Sequence, residues 1–367
     1  MSVSAATTRS SPPVRARFSS PPGAAAASSR SSRPSSLPAL TYSIVARDPS
    51  SGALGVAVQS HYFGVGSLVS WAEAGVGAVA TQSTVEPAYG PRGLELMRAG
   101  KSAPQVLHEL LSADPQERVR QVAMVDRAGR VAVHSGPGCI DHAGHAVGNQ
   151  VSAQANIMRS ETVPRAMVRA YDAAPGELPE RLLAALDAAE GEGGDLRGRQ
   201  SAALVVVAAR ASGQPTEDRV VDLRVEDHGD PLAELRRLVE LRRAYARADA
   251  GDQLAAAGDL PGALREYAGA HASRPDNLEL AFWHGAALAA NGSEQEATPI
   301  LRRVFAAGPG FAELLERLPA AGLFPDDGQL IARLVGTRAE SAPAGLPRAP
   351  AEPSRGPAEL PREPGRP

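Results

Sequence analysis

The sequence has almost no cysteine and few aromatic residues. Its single cysteine, Cys139, cannot close an internal disulfide, and a four-cysteine zinc site is excluded for the same reason. Aromatic residues make up 4% of the 367 residues, but 43% are hydrophobic, which is enough for at least one full core. At this length we expect two domains with terminal tails, held together by packing and not by disulfides.

Charge of one sign and long apolar runs are also missing. The 38 basic and 41 acidic residues leave a formal net charge of −3, so no general positive field attracts nucleic acid or an anionic membrane. No apolar stretch approaches the roughly 20 residues that cross a bilayer. The N-terminus also lacks the apolar segment of a secretory signal. We therefore expect a cytoplasmic chain that binds neither nucleic acid nor membrane.

Both ends of the chain are poor in apolar residues. Residues 1–40 consist almost wholly of Ser, Ala, Pro and Arg and contain no carboxylate, while Pro and Gly recur every few positions in residues 336–367. Such segments cannot bury enough apolar area to offset the entropy lost on ordering. The sequence therefore predicts a disordered leader, 1–40, and a disordered tail, 336–367.

Residues 41–227 alternate between strand-like and helix-like patterns. Short β-branched runs and helical segments follow one another as strands, two helices, strands, two helices and strands. This order suits two stacked antiparallel sheets with a helical layer outside each, because every apolar sheet face must be covered. We predict an α+β chain in which residues 41–227 form a four-layer αββα sandwich.

Residues 231–335 have helical periodicity only and contain an internal repeat of 34 residues. Gly251, Gly258, Ala263, Tyr267, Ala270 and Pro275 recur as Gly285, Gly292, Ala297, Leu301, Val304 and Pro309. The period is typical of tetratricopeptide repeats, in which small residues let antiparallel helices approach closely. We predict an all-α tetratricopeptide-like domain that docks a protein partner, a substrate or a second copy of the chain.

Thr41, at the start of the first predicted strand, is the candidate nucleophile. If it were the first residue of a mature chain, its α-amino group, with a pKa of about 7.7–8.0, could act as base for its own hydroxyl. Gln154 and Asn156, at the end of a later strand, could offer side-chain amides to an oxyanion. The residues alone leave open that all three are ordinary strand residues with local hydrogen bonds.

A glycine-rich segment, residues 193–201, is the candidate substrate-binding loop. Its glycines permit close approach of the backbone to a ligand, and Arg197 beside Asp195 could bind a carboxylate in two-point geometry. Gln200 and Ser201 complete the segment just before a strand. The alternative from the residues alone is a solvated loop with a local ion pair.

Residues 134–145 collect side chains of metal-binding type, namely His134, Cys139, Asp141, His142 and His145. Their spacing matches no helical zinc motif, and hairpin loops gather Gly, Asp and His for turn geometry. We expect neither a metal nor a cofactor. A metal-dependent hydrolase and a Cys139 nucleophile remain the weaker alternatives.

Several runs in this order resemble a bacterial family of unknown function that is assigned to the N-terminal nucleophile (Ntn) hydrolase superfamily. They are TYSIVARDP (41–49), LGVAVQS (54–60), WAEAGVGAVATQS (71–83), YGPRGLELMRAG (89–100) and GGDLRGRQSAALVVV (193–207). The resemblance implies the four-layer fold and a threonine nucleophile. Members often begin with Met-Thr, whereas forty residues precede Thr41 here, so its amine requires proteolysis or another translation start.

These observations predict an Ntn-type hydrolase of a small amide or peptide that uses no cofactor. Thr41 and Asn156 would be catalytic, and the substrate would be bound by Gln154, Asp195, Arg197, Gln200 and Ser201. The alternative is a non-catalytic scaffold. C-terminal modules attached to this family suggest that such a scaffold would be associated with peptidoglycan.

Overall fold

The computed structural model describes residues 41–336. The predicted leader, 1–40, lies outside the described residues, and so does the predicted tail except Gly336, which ends the last helix. The described residues form ten strands in two sheets and twelve α-helices, which confirms the predicted mixed α and β chain with a helical C-terminal region. None of these helices is long and apolar enough to cross a membrane.

The strands are β1 (Thr41–Arg47), β2 (Leu54–Ser60), β3 (Ser70–Glu73), β4 (Gly77–Ser83), β5 (Arg120–Asp126), β6 (Val131–Ser135), β7 (Gly144–Gly148), β8 (Val151–Ala155), β9 (Ser201–Val207) and β10 (Arg219–Val225). The helices of the first part of the chain are α1 (Gly66–Val69), α2 (Tyr89–Arg98), α3 (Ala103–Ser112), α4 (Val163–Ala173), α5 (Leu178–Gly191) and α6 (Pro215–Asp218). The helices that follow are α7 (Pro231–Ala256), α8 (Leu260–Ser273), α9 (Leu278–Ala290), α10 (Glu294–Ala307), α11 (Gly310–Arg317) and α12 (Gly328–Gly336).

The hairpin of β1 and β2 lies in the middle of the larger sheet. Thr41 pairs with Ser60 at one end of the hairpin and Arg47 with Leu54 at the other. Asp48 fixes the turn. Burial alone would raise the pKa of this carboxyl, but hydrogen bonds from Ser51 and Ser50 outweigh it and lower the pKa to about 2.

The two sheets pack face to face, and all strand pairs within them are antiparallel. The larger sheet has the order β10-β9-β2-β1-β8-β7 and the smaller one β3-β4-β5-β6. Alternate residues of each strand face the other sheet, so that Val45 and Val56 pack in one buried cluster with Ala80 and Ala123. This apolar layer fills one part of the space between the sheets.

Helices cover the outer face of each sheet. Helices α4 and α5 lie on the larger sheet, where Met167 and Leu182 pack with Ile44 in one buried cluster. Helices α2 and α3 lie on the smaller sheet, where Leu107 packs with Val79. The arrangement leaves no broad apolar sheet face exposed in the described chain.

Helix α7 joins the sheets to the C-terminal helices without a break. It begins at Asp230, whose carboxylate accepts a hydrogen bond from the backbone of Ala233, and it runs for 26 residues. Leu232 and Leu235 near its start pack into the cluster beneath α5, whereas Gly251 near its end lies against α8. The helix therefore begins at the boundary predicted between residues 227 and 231, and its first turns pack against the sheet-containing part of the chain.

The 34-residue repeat corresponds to equivalent helix contacts. A Cβ on Gly251 would lie 2.7 Å from the ring of Tyr267, and a Cβ on Gly285 would lie 2.8 Å from Leu301. Both glycines thus let the following helix approach where a larger side chain would collide. The repeated small residue preserves the same close contact in α7–α8 and in α9–α10.

Ala297→Leu should destabilise the C-terminal helices by about 1–3 kcal/mol, because Ala297 is fully buried and an added branch overpacks its site. Urea unfolding followed by circular dichroism measures the change. Ala306→Leu, on an exposed position of the same helix, is the matched control and should stay within about 0.5 kcal/mol of the unaltered chain. Equal unfolding midpoints for the two variants would contradict this packing.

Candidate active site

The space between the sheets is polar at one end. Seven fully buried polar residues from six strands of the two sheets meet there: Thr41, Ser43, Ser60, Gln82, Gln121, Gln154 and Ser201. Asn156, directly after β8, joins them and is also fully buried. Since buried polar groups lower stability unless they are hydrogen-bonded, so many at one place point to a site that is built for more than packing.

Thr41 lies at the centre of this polar end, and three N–H donors hold its carbonyl oxygen. The backbone nitrogen of Asn156 donates to it at 3.1 Å, Gln82 Nε2 at 3.1 Å and Asn156 Nδ2 at 3.4 Å. The Thr41 hydroxyl donates to Ser60 Oγ at 3.1 Å. In the printed chain the Thr41 nitrogen is bonded to Leu40 as an amide. The contacts therefore fix both the backbone and the hydroxyl of Thr41.

Gln121 connects the two amides that hold Thr41. Its Oε1 accepts hydrogen bonds from Gln82 Nε2 at 2.7 Å and from Asn156 Nδ2 at 2.8 Å. Its Nε2 donates to Ser135 Oγ at 2.9 Å, and Ser135 Oγ is 3.0 Å from the exposed ring of His145. A hydrogen-bonded chain thus runs from the edge of the sheets to the carbonyl of Thr41.

Gln154 and Ser43 close the network on the other side of Gln82. Gln154 Nε2 donates to Ser43 Oγ at 2.6 Å, and Ser43 Oγ donates to Gln82 Oε1 at 2.6 Å. Asn156 Oδ1 is different, because it is buried and has no hydrogen-bond partner among residues 41–336. This unpartnered acceptor therefore belongs to the residue whose backbone and side-chain nitrogens both donate to the Thr41 carbonyl.

The backbone is strained directly after both residues whose amides hold Thr41. Ser83 follows Gln82 with φ 71°, and Ile157 follows Asn156 with φ 56°. A β-branched residue with positive φ is costly and persists only where its surroundings enforce it. The Ile157 backbone is fixed on both sides, since its N–H donates to Ile140 and its carbonyl accepts from Leu196. The strain therefore sits at the polar end of the sheets.

The loop predicted to bind substrate lies at the same end. Buried Asp195 accepts a hydrogen bond from the backbone of His61, the residue after Ser60, at 3.3 Å. Arg197 donates to both carboxylate oxygens of Asp195, through Nε at 3.1 Å and through a terminal nitrogen at 2.7 Å. The two-point contact that the sequence suggested for a ligand is made to Asp195 in this structure.

Gln200 and Ser201 tie neighbouring segments together. Gln200 Nε2 donates to Asp227 Oδ1 at 3.1 Å. The hydroxyl of Ser201 donates to the carbonyl of Tyr62 and accepts from the backbone of Val65 at 3.1 Å. Of the predicted residues, Gln154 and Asn156 thus share one network with Thr41, Asp195 and Arg197 lie beside Ser60, and Gln200 and Ser201 hold the surrounding chain.

The loop of metal-binding residue types does not form a ligand cluster. His134 Nε2 is 2.9 Å from the carbonyl of Glu117, and His142 Nδ1 is 3.0 Å from that of Met158. No group of three His, Cys, Asp or Glu side chains converges anywhere in the described part of the chain. Burial raises the pKa of Cys139, which disfavours the thiolate that a nucleophile requires.

Sequence reasoning missed Ser43, Ser60, Gln82 and Gln121. A signal was present, because in each of these strands the residues that face the other sheet become polar at one end. Antiparallel pairing then places those ends together. Seeing this from the sequence alone would have required the register of both sheets.

Comparison with known proteins gives a family but no activity. Residues 41–235, more than half of the chain, match the model of a family of unknown function, DUF1028. A crystal structure of a Silicibacter pomeroyi protein assigned to DUF1028 is 31% identical, with a TM-score of 0.49, over 55% of this chain and 88% of that one. No curated protein matches. The chain belongs to DUF1028, which confirms the resemblance to a family of unknown function.

Proposed function

We propose that this chain is an N-terminal nucleophile hydrolase that cleaves a small amide or peptide once Thr41 is its first residue. The observation that carries the proposal is the set of three hydrogen bonds that Gln82 and Asn156 donate to the Thr41 carbonyl oxygen. A nucleophile needs a fixed position, and here a buried network supplies it. The two sheets with outer helices are consistent with the four-layer αββα sandwich that this class requires.

The free α-amino group of Thr41 would take the hydroxyl proton as Oγ attacks the substrate carbonyl carbon. The new Oγ–C bond forms, the C–N bond breaks, and the proton passes to the leaving amine. Water, deprotonated by the same amine, then releases the acyl group. Asn156 Oδ1 is a buried acceptor without a partner in residues 41–336, and we assign it a hydrogen bond from the neutral α-amino group that cleavage before Thr41 would create.

Asp195, Arg197 and the surrounding loop would position the substrate, because this loop is attached to the backbone beside Ser60. Helices α7 to α12 would form the tetratricopeptide-like module. The equivalent close contacts at Gly251 and Gly285 support that interpretation. The module would dock a protein partner or a second copy of the chain.

Protein purified from its native host should have Thr41 at its N-terminus. Only cleavage or initiation at this position supplies the amine that the mechanism uses as its base. Intact-mass analysis together with N-terminal sequencing measures the outcome. A stable product that begins at any other residue would overturn the proposal for this chain, and a fragment of residues 41–367 made in parallel provides the reference mass.

A non-catalytic scaffold is the second candidate, and a specific observation favours it. Thr41 is fully buried, its nitrogen is an amide in the printed chain, and its hydroxyl is hydrogen-bonded to Ser60. In that case the polar end would fix the fold and the helical region would bind a partner, with peptidoglycan as the ligand to test. The mature N-terminus separates the two candidates.

A further inference from the structure

The end of the sheets opposite Thr41 contains a cavity of ≈ 690 Å³. Strand β1 runs from Thr41 to Arg47, and its seven residues span about 20 Å. The cavity opens at the Arg47 end, among the turns that follow β1, β3, β5 and β9. Thr41 is absent from its lining, so the cavity is a separate place in the fold.

The lining of this cavity is strongly basic. It contains Arg47, Arg98, Arg127 and Arg210 but one carboxylate, that of Glu73. Glu73 already accepts a hydrogen bond from Arg98 Nε at 2.6 Å. Three guanidiniums are thus left without a carboxylate in the cavity wall, in a chain whose formal net charge is −3.

The acidic groups next to these turns are occupied elsewhere. Asp48 accepts hydrogen bonds from Ser50 and Ser51 and lies 3.4 Å from Arg181. Asp126 accepts from Arg130 Nε at 2.8 Å and from three backbone N–H groups. Neither carboxylate is part of the cavity wall.

The three arginines differ in how they are held. Arg47 donates to Gln150 Oε1 at 2.7 Å, but its Nε is buried and has no partner in the described structure. The exposed side chains of Arg127 and Arg210 make no ion pair or hydrogen bond to any described residue. Like charges that face one cavity repel, and a bound anion would relieve that repulsion.

A second cavity of ≈ 680 Å³ continues from the first and is more apolar. The two share Glu73, Ala74, Arg98 and Ala211. Beyond these residues the wall combines Trp71, Leu94, Val205 and Val207 with four charged residues, of which Arg219 and Arg224 both pair with Asp222. A ligand that fills both cavities would therefore present charge at one end and an apolar or ring-shaped body at the other.

We propose that this pair of cavities binds a small organic anion with two or more negative charges at one end and a ring-shaped or apolar body. Guanidiniums bind phosphate and carboxylate groups through parallel hydrogen bonds, so either group can serve as the head. The site is independent of the hydrolase proposed above. Thr41→Ala should leave its binding unchanged.

The test measures binding to the full chain by titration calorimetry, with pyrophosphate and citrate as phosphate and carboxylate heads. ADP adds a ring-bearing body. The double variant Arg127→Gln/Arg210→Gln should bind pyrophosphate or citrate about tenfold or more weakly, because two charge-assisted contacts are lost. The control double variant Arg165→Gln/Arg169→Gln changes two exposed arginines of α4 that have no partner among the described residues, and it should keep the affinity of the unaltered chain.

The pattern of results decides between the sources of the anion. Binding of pyrophosphate but not citrate assigns a phosphate head, and the reverse assigns a carboxylate head. Tighter binding of ADP than of pyrophosphate supports a ring-shaped body beside Trp71, and Trp71→Ala should remove that difference. The proposal is overturned if neither head group binds at about 10 mM, or if both double variants weaken binding equally.

Discussion

Thr41→Ala is expected to abolish the proposed amide hydrolysis in a chain that begins at residue 41, whereas Thr41→Ser should keep part of it. Alanine lacks the attacking hydroxyl, so the rate should fall by about a thousandfold or more. Serine retains both the hydroxyl and the amine. Hydrolysis of a panel of small amides, together with the mass of any acyl-enzyme, measures the effect.

Stability controls separate this loss from unfolding. The Thr41 hydroxyl makes a single described hydrogen bond as donor, to Ser60, so Thr41→Ala should cost about 1 kcal/mol. Thr81→Ala removes the equally buried hydroxyl of a threonine in β4 and should keep full activity. Full activity in Thr41→Ala would contradict the proposed mechanism. Equal activity in a chain that retains residues 1–40 would contradict it as well.

Gln121→Leu should lower the free energy of unfolding by about 3 kcal/mol or more. The substitution leaves the amides of Gln82 and Asn156 without their shared acceptor, inside a region where Gln121 is fully buried. Each buried polar group without a partner costs about 1–3 kcal/mol. Guanidinium unfolding measures the change.

Two controls accompany this variant. Gln295→Leu, on an exposed position of α10, should change stability by less than about 0.5 kcal/mol. The double variant Asn156→Leu/Gln121→Leu should lower the free energy of unfolding by less than the sum of the two single variants, because the two residues share a hydrogen bond. Additive losses of unfolding free energy would show that the two amides act separately and that no connected network positions Thr41.

The strands with regular alternation could be predicted from the sequence, and the shorter ones could not. β1, β2, β5 and β8 lie among the strand-like runs that the sequence predicts within residues 41–227. β3 has four residues and β7 has five with a glycine at each end, so neither carries enough alternation to be recognised. One edge strand of each sheet, β3 and β7, was therefore the part of the fold that local pattern did not reveal.

The candidate site was only partly predictable because its parts come together through the order of strands in space. β1 lies between β2 and β8, and β2 lies between β1 and β9, so distant stretches of the sequence become neighbours. Thr41 and Asn156 were identified by residue type and by position at strand ends. Their connection through Gln82 and Gln121 depends on the packing of the second sheet, which residue spacing does not encode.

The unbroken course of α7 limits how this chain can vary in length. Its 26 residues form a rod of about 39 Å, anchored at one end under α5 and at the other against α8. One residue inserted in its middle would turn everything that follows by about 100° about the helix axis. The number of residues in α7 therefore sets the rotation of the C-terminal helices about its axis relative to the sheets. Insertions and deletions are compatible with this architecture in its surface loops but not in α7.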